Sequence, residues 1–278
     1  MFFLILSVLS SALIAVVMRL SSDKVRSPLG MLFINYLVCT VLGILYADFQ
    51  IFLPREPGYS LTLGLGIFNG FIYLSSYILL QYNTRKNGIV LASIFMKLGL
   101  LVPMVLSVVM FHEIPSSVQL LGFLLAVIAI VLINYRKDSK KGSLAFSLIL
   151  LLILGGCSDA MSKVFKVYGT EALSDQFLVF TYGMAFLLGV ALVALKKEWP
   201  GKQELIYGTI IGIPNFFSVK TMLAALTDIP AVVAYPTFSV ATVLLVTLAG
   251  TAFFREKLTK NQWLALGIIL IALVLLNL

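Results

Sequence analysis

Four ionisable side chains stand inside long apolar stretches of this sequence, where a charge is costly. Lys97 lies in LASIFMKLGLLVP, Lys220 lies in PNFFSVKTMLAAL, and Asp159 and Lys163 share the stretch LGGCSDAMSKVFK. An ionisable group in such a stretch by default marks a polar pathway or a paired site. An ammonium group suits a carboxylate or a phosphate. We therefore expect Lys97 and Lys220 to contact a bound anionic group.

Asp159 supports two different expectations. Lys163 follows it by four residues. In a helix the two side chains share one face and can form an ion pair. Alternatively, Asp159 accepts and releases protons, because burial disfavours the charged form of a carboxylate. The sequence leaves both interpretations open.

Polar and aromatic residues in the middle of apolar stretches are further candidates for lining such a site. They supply amide groups that form hydrogen bonds and rings that pack against an organic molecule. The candidates are Asn35, Tyr36, Tyr73, Tyr77, Tyr182, Asn215, Phe216 and Tyr235.

Residue types that serve catalysis or metal binding are scarce. There is a single histidine, His112, and the two cysteines, Cys39 and Cys157, lie far apart. A metal site normally needs a cluster of such ligands, and a Ser–His–Asp set needs a histidine placed near its partners. No Walker motif is present either. From the sequence we therefore expect a protein that binds no metal or cofactor and is not an enzyme.

The composition is that of a membrane protein. The chain has 278 residues, of which 60% are hydrophobic and 12% are charged. Soluble domains average about 45–50% apolar and about 25% charged residues. The net charge of +8 is distributed in small groups, without the basic helix or arm that nucleic acids require. A soluble enzyme and a nucleic-acid-binding protein are therefore excluded, and we expect a lipid bilayer around most of the chain.

Ten apolar stretches are long enough to cross a bilayer, which takes about 20 residues in a helix. Their hydrophobicity is continuous rather than alternating, which favours helices over a β-barrel. The first stretch lacks a basic start and a small-residue cleavage site, so we interpret it as a span rather than a signal peptide. The predicted spans are 2–19, 29–47, 61–81, 88–111, 117–135, 144–166, 175–195, 204–226, 230–253 and 262–278.

The basic residues predict an orientation. Of the 20 Lys and Arg residues, 15 fall in the odd-numbered loops between these spans or at the span edge that borders them, and two fall in the even-numbered loops or at their edge. Cytoplasmic loops carry an excess of Lys and Arg. The odd loops are therefore predicted to be cytoplasmic and both termini to lie outside, in the plasma or inner membrane.

The two parts of the chain resemble each other. FHEIPSSVQLLGFLLAVIAIVLIN, which begins at Phe111, aligns with FREKLTKNQWLALGIILIALVLLN, which begins at Phe254, at an offset of 143. Further upstream, an offset of 147 aligns Ser11 with Ser158. The similarity is weak at each position but sustained, which indicates an internal repeat.

The repeat divides the chain into 1–138 and 139–278, each with five predicted spans. Because five is odd, the second half must lie upside down relative to the first. Inverted repeats are typical of secondary transporters, which bind substrate between the halves near the middle of the membrane. The predicted fold is therefore all-α, with ten transmembrane helices in two inverted five-helix repeats. The offset of 143 also places Tyr77 opposite Lys220.

The turn that opens the last span of each half carries a family resemblance. Phe111–Gln119 and Phe254–Gln262 both read aromatic–x–Glu–x–x–(Ser/Thr)–x–x–Gln. With ten spans arranged as five plus five, the whole chain resembles the EamA-like branch of the drug/metabolite transporter superfamily. Gly122 follows the first turn as in that family, whereas Ala265 stands at the matching place in the second. The resemblance implies a transporter but no particular substrate.

The favoured hypothesis is a secondary active transporter that works by alternating access. Its substrate would be a small metabolite with a carboxylate or phosphate, such as an amino acid, and transport could be coupled to protons. One alternative is an exporter of organic cations or drugs that uses an aromatic box and Asp159. Another is a membrane scaffold or sensor without flux. A monomer is sufficient to enclose a path, and a dimer is equally compatible with the sequence.

Overall fold

The computed structural model describes residues 1–99, 101–102, 105, 109, 116–134, 142–229, 231–254, 260–275 and 278. Within these residues the chain is helical, without a β-strand, which confirms the all-α prediction. A short 3-10 helix spans Glu171–Leu173. The α-helices described are α1 (Phe2–Ser21), α2 (Pro28–Tyr46), α3 (Tyr59–Asn87), α4 (Ile89–Leu98), α5 (Ser117–Asn134), α6 (Gly142–Tyr168), α7 (Ser174–Lys196), α8 (Lys202–Asp228), α9 (Ala231–Ala252) and α10 (Lys260–Leu275).

Six of these helices are long and apolar enough to cross a membrane, namely α1, α2, α3, α6, α7 and α8. Shorter apolar stretches occur in α9, at Thr237–Ala252, and in α10, at Trp263–Ala272. Only part of the predicted span 88–111 lies within the described residues, where it forms α4. Six candidate spans are therefore observed, and the count of ten crossings stays a prediction.

Local sequence signals explain where two helices begin and end. Ser27 caps α2, because its Oγ accepts a hydrogen bond from the N–H of Gly30 at 2.8 Å, and Pro28 occupies the first helical position. Helix α3 lies between Gly58 and Gly88, whose φ angles are 83° and 84°. Glycine adopts these angles without steric cost, so the chain can turn sharply at both ends.

Two buried clusters hold the helices together. The larger cluster joins α1–α3 to α6–α8, and the second joins α4, α5, α9 and α10 to α1 and α6. The main contacts place α2 against α7 and α8, α3 against α6 and α7, and α1 against α8 and α9. In addition, α4 packs against α6 and α9, and α5 packs against α10.

At one end of the bundle, the segments 22–27 and 197–201 and the end of α3 lie together, and we call this the odd-loop end. Glu204 fixes it, because its Oε1 accepts hydrogen bonds from the N–H groups of Arg26 at 2.8 Å and Ser27 at 3.0 Å. The guanidinium of Arg85, near the end of α3, donates to the carbonyl of Val25 at 3.1 Å.

The opposite end, which we call the even-loop end, joins the segments 47–58 and 169–173. Thr170 Oγ1 donates to the carbonyl of Pro57 at 2.9 Å. Gln176 Nε2 donates to the carbonyl of Gln50 at 2.9 Å. Residues in the middle of the helices therefore lie between these two ends along the axis of the bundle.

Candidate functional site

A polar cavity of about 80 Å³ lies inside the bundle, and we call it the central cavity. Among the described residues, those that line it belong to six helices, α1, α3, α4, α6, α8 and α9. Its walls are a mixture of hydroxyl groups, aromatic rings, two charged side chains and apolar side chains. The lining residues are Ser11, Tyr73, Ser76, Tyr77, Met96, Lys97, Gly155, Ser158, Asp159, Ser162, Ser218, Val219, Met222, Leu223 and Phe238.

Lys97 and Asp159 are the charged residues among the described residues that line the central cavity. Both are half-buried, and their opposite charges attract each other across it. Within the described residues, neither side chain forms a hydrogen bond or an ion pair within 4 Å. The ammonium group of Lys97 instead lies 3.8 Å from the centroid of the Phe238 ring. Both charges are therefore available to a molecule that occupies the cavity.

Beside the central cavity is a group of hydrogen-bonded side chains, which we call the tyrosine–asparagine cluster: Asn35, Tyr36, Tyr73, Tyr77, Tyr182 and Asn215.

Asn215 is the hub of the cluster and is fully buried. Its Oδ1 accepts hydrogen bonds from the hydroxyls of Tyr77 at 2.9 Å and Tyr73 at 3.2 Å. Its Nδ2 donates to Asn35 Oδ1 at 3.1 Å, and its carbonyl accepts from the hydroxyl of Tyr182 at 3.3 Å. These bonds connect α2, α3, α7 and α8 through one residue.

The rings of the cluster pack closely. The Tyr73 and Tyr77 rings are stacked with their centroids 5.2 Å apart, and Tyr73 meets Tyr182 edge-on at 5.5 Å. Tyr36 contacts all three of these rings, and Phe216 lies 6.1 Å from Tyr182. The cluster thus forms a wall of packed rings, and it reaches the central cavity through Tyr73 and Tyr77.

Most of the site residues predicted from the sequence lie in one region. Lys97, Tyr73, Tyr77 and Asp159 line the central cavity itself. Asn35, Tyr36, Tyr182, Asn215 and Phe216 lie behind it, in the tyrosine–asparagine cluster or against that cluster.

Lys220 lies elsewhere. Its ammonium group pairs with Asp175 Oδ1 at 2.5 Å and lies 4.2 Å from the centroid of the Tyr46 ring. It does not line the central cavity. Lys163 is half-buried on α6 and also does not line this cavity. The side chain of Tyr235 lies outside the described residues.

The sequence interpretation missed the serines of the central cavity. Ser11, Ser158 and Ser218 contribute from three different helices, and Ser158 Oγ donates to Asn69 Oδ1 at 3.1 Å. Serine is common in membrane helices, where it often bonds to its own backbone, so its presence alone indicates little. The internal offset that aligns Ser11 with Ser158 was a signal that could have singled out those two serines.

The residues described include no group of three or more His, Cys, Asp and Glu side chains that could hold a metal. The central cavity therefore presents a lysine, an aspartate, hydroxyl groups and aromatic rings, and apolar helices surround it. This arrangement can bind a small polar molecule away from lipid, as a multi-pass membrane transport protein does.

The comparison with protein families identifies the particular group. The sequence model of the EamA-like transporter family matches residues 1–135 and 145–278, and the chain belongs to this family. The family consists of transporters rather than enzymes. The resemblance to the drug/metabolite transporter superfamily is confirmed, and the chain is an integral membrane protein of a transporter family.

The proteins similar to the chain include two relatives and a solved structure. An uncharacterized protein of Haemophilus influenzae is 22% identical over 276 residues, which is 95% of this chain and 93% of that protein. The probable 4-amino-4-deoxy-L-arabinose-phosphoundecaprenol flippase subunit ArnE of Hamiltonella defensa is 37% identical over 84 residues, 29% of this chain and 72% of that protein. A crystal structure of a protein with 14% identity superposes with a TM-score of 0.66, covering 99% of this chain and 94% of the other, which shows the fold alone.

Proposed function

We propose that the protein is a secondary transporter that carries a small organic metabolite with a carboxylate or phosphate through the central cavity by alternating access. An amino acid is the favoured substrate. The carrying observation is that Lys97 and Asp159 face the same cavity without a hydrogen bond or an ion pair within 4 Å in the described part of the chain.

The pattern of helix contacts supports two inverted repeats of five helices each. In two such repeats, α1 corresponds to α6, α2 to α7, and so on to α5 and α10. When each helix is replaced by its counterpart, every main contact becomes either another main contact or the same contact again. The pair α1 and α8 becomes α6 and α3, the pair α2 and α8 becomes α7 and α3, and the pair α1 and α9 becomes α6 and α4. The two segments matched by the family model are close to the proposed halves 1–138 and 139–278.

The loop contacts support alternating crossings of one membrane. Segments 22–27 and 197–201 meet at the odd-loop end, whereas segments 47–58 and 169–173 meet at the even-loop end. The excess of basic residues in the odd loops favours a cytoplasmic odd-loop end and external termini, in the plasma or inner membrane.

The charges in the central cavity suit a zwitterion. Lys97 would contact the carboxylate of an amino acid, while Asp159 would contact its ammonium group. The cavity of about 80 Å³ is small beside the roughly 300 Å³ or more of a site for a drug-sized ligand, which favours a small metabolite and requires widening on binding. The molecule in the name of the ArnE relative also carries both an amino group and a phosphate.

Asp159 is also the proposed proton carrier, should transport be coupled to protons. It is the cavity's carboxylate, and Lys163 follows one helical turn along α6. Asp159→Asn should then abolish accumulation driven by a pH gradient, while exchange of substrate across the membrane continues at a reduced rate, because the asparagine amide oxygen still accepts a hydrogen bond from the substrate ammonium group. Loss of both activities would assign Asp159 to substrate binding alone.

An exporter of organic cations is the second candidate. Asp159 shares the central cavity with Tyr73, Tyr77 and Phe238, whose ring faces can hold a cation. The two candidates differ in the role of Lys97, because a cation exporter gains nothing from a second positive charge.

The test uses purified protein in a thermal-shift screen against the twenty common L-amino acids and the organic cation ethidium. A compound that binds the folded state stabilises it by mass action. The stabilising compound is then supplied to proteoliposomes in radiolabelled form. Lys97→Met should reduce uptake of a carboxylate substrate at least tenfold, whereas Lys86→Met, at an exposed lysine that contacts Tyr82, should not.

The outcomes separate the candidates. Uptake that is unchanged in Lys97→Met would overturn the role of Lys97. Stabilisation and flux with ethidium alone would favour the cation exporter. Absence of flux for every compound that binds would favour the scaffold or sensor.

A further inference from the structure

A second, smaller hollow of about 20 Å³ adjoins the central cavity. The two hollows share four lining residues, Ser11, Tyr77, Met96 and Lys97. These four side chains therefore stand at the boundary between the two. About one water molecule fits into the smaller hollow, so a substrate cannot pass through it in this conformation.

The smaller hollow lies on the odd-loop side of this boundary. Arg85 contacts Val25 there, which places the end of α3 and the start of α4 at the odd-loop end. The guanidinium of Arg19 lies 5.7 Å from the centroid of the Phe254 ring, which places the ends of α1 and α9 at the same end.

Each of the four helices contributes to the smaller hollow closer to the odd-loop end than it does to the central cavity. Its lining includes Ile14 of α1, Leu80 of α3, Ser93 of α4 and Thr242 of α9. Thr242, for example, is one helical turn, about 5.4 Å, beyond Phe238 of the central cavity. The two hollows therefore follow one another along the axis of the bundle.

If the two halves are repeats, each of the four helices around the smaller hollow has a counterpart in the opposite half, and these counterparts enclose a corresponding space. It is enclosed by α1, α3, α4 and α9. Exchange of the two halves converts this set into α6, α8, α9 and α4, which all line the central cavity. An alternating-access transporter needs two such branches, one of which is closed while the other is accessible.

We propose that the hollow between α1, α3, α4 and α9 is the closed, odd-loop branch of the substrate path, and that Tyr77, Met96 and Lys97 form the gate between it and the central cavity. This inference rests on the proposed transport function. Ser93 and Thr242, which are 5% and 1% exposed, then become accessible to water when the gate opens toward the odd-loop end.

The experiment measures the reactivity of single cysteines in a background in which the native thiols are removed by Cys39→Ala and Cys157→Ser. The probe is 2-sulfonatoethyl methanethiosulfonate, which does not cross membranes, applied to each face of sealed vesicles. A cysteine at the exposed loop residue Lys24 (Lys24→Cys) identifies the odd-loop face.

Two matched pairs carry the test. Ser93→Cys is compared with Ala92→Cys on α4, and Thr242→Cys is compared with Val243→Cys on α9. Ala92 and Val243 are as deeply buried but belong to the apolar clusters rather than to the hollow. Labelling at 93 and 242 from the odd-loop face should be at least tenfold faster than at 92 and 243.

Ser158→Cys, in the central cavity, separates this inference from the proposed function. If Ser158→Cys reacts from the even-loop face while 93 and 242 react no faster than their controls, the branch is wrong and transport still stands. If Ser158→Cys and both branch positions are unreactive from either face, the cavity has no aqueous access and both proposals fail. Should one branch variant fail to fold, the other reports on the same hollow from a different helix.

Discussion

Replacement of Asn215 by leucine tests whether the tyrosine–asparagine cluster holds the helices around the cavity. Leucine has a similar volume but no polar group, so the substitution removes hydrogen bonds with little change in packing. Asn215→Leu removes the acceptor of the Tyr73 and Tyr77 hydroxyls and the donor to Asn35 Oδ1.

The expected loss of stability follows from the surroundings of those three groups. Interhelical hydrogen bonds in membranes average about 0.6 kcal/mol, with a maximum of about 1.7. Tyr73 and Tyr77 line the central cavity, so we expect water from that cavity to replace Asn215 as the partner of their hydroxyls. Asn35 is fully buried, and its Oδ1 keeps only a 3.9 Å contact with the Cys39 thiol. An unpaired buried group costs about 1–3 kcal/mol. We therefore expect a loss of about 2–4 kcal/mol.

The assay is thermal unfolding of the purified protein in detergent. By the relation for soluble domains of about this size, the midpoint should fall by about 5–15 °C. Ser75→Ala is the control, because its hydroxyl bonds to the carbonyl of Phe71 within the same helix at 2.9 Å. This variant should remain within about 1 °C of the wild type, since no contact between helices is lost.

A double-mutant cycle with Tyr77→Phe makes the test specific. Loss of the Tyr77 hydroxyl should destabilise the wild type by about 0.6 kcal/mol but should cost almost nothing in Asn215→Leu, because its acceptor is already absent. Additive effects of the two changes, or an Asn215→Leu midpoint equal to that of the wild type, would refute the role assigned to Asn215.

Two further predictions concern positions that fix the bundle. A methyl group at Gly156 would overlap the carbonyl of Gly99, so Gly156→Ala should lower the unfolding midpoint by several degrees, whereas Gly64→Ala, with nothing within 4 Å, should leave it unchanged or raise it slightly. Glu204→Gln should lower the free energy of unfolding by about 1–3 kcal/mol, because the Glu204 carboxylate accepts hydrogen bonds from three backbone N–H groups. Glu198→Gln is the control and should lower it by less than about 1 kcal/mol, because only one half-buried contact, with the Ser27 hydroxyl, is affected. Equal midpoints within either pair would contradict the corresponding packing or hydrogen-bonding argument.

Much of the candidate site could be predicted from residue type and depth within an apolar stretch. Asn35, Tyr73, Tyr77 and Asn215 were expected near one site because polar groups are costly in lipid and must find each other. The structure places them in one region. The role of these residues in binding stays a prediction, as does the proton-carrying role of Asp159.

The location of Lys220 could not be predicted in this way. Its position in an apolar stretch resembles that of Lys97, yet it pairs with Asp175, 45 positions earlier in the chain. Lys97 lies near the middle of its predicted span and Lys220 lies six residues from the end of its own, but this difference in depth does not predict the pair with Asp175, which depends on which side of α8 faces α7.

The sequence alone determined that this protein is helical and embedded in a membrane, and it indicated the family. These properties follow from sums over neighbouring residues, since the transfer of each side chain into lipid adds its own free energy. Only the tertiary structure decided which polar residues share a cavity and which ion pair lies apart from it. Those outcomes depend on the rotation of each helix about its axis and on contacts between distant residues, which a hydropathy pattern does not fix.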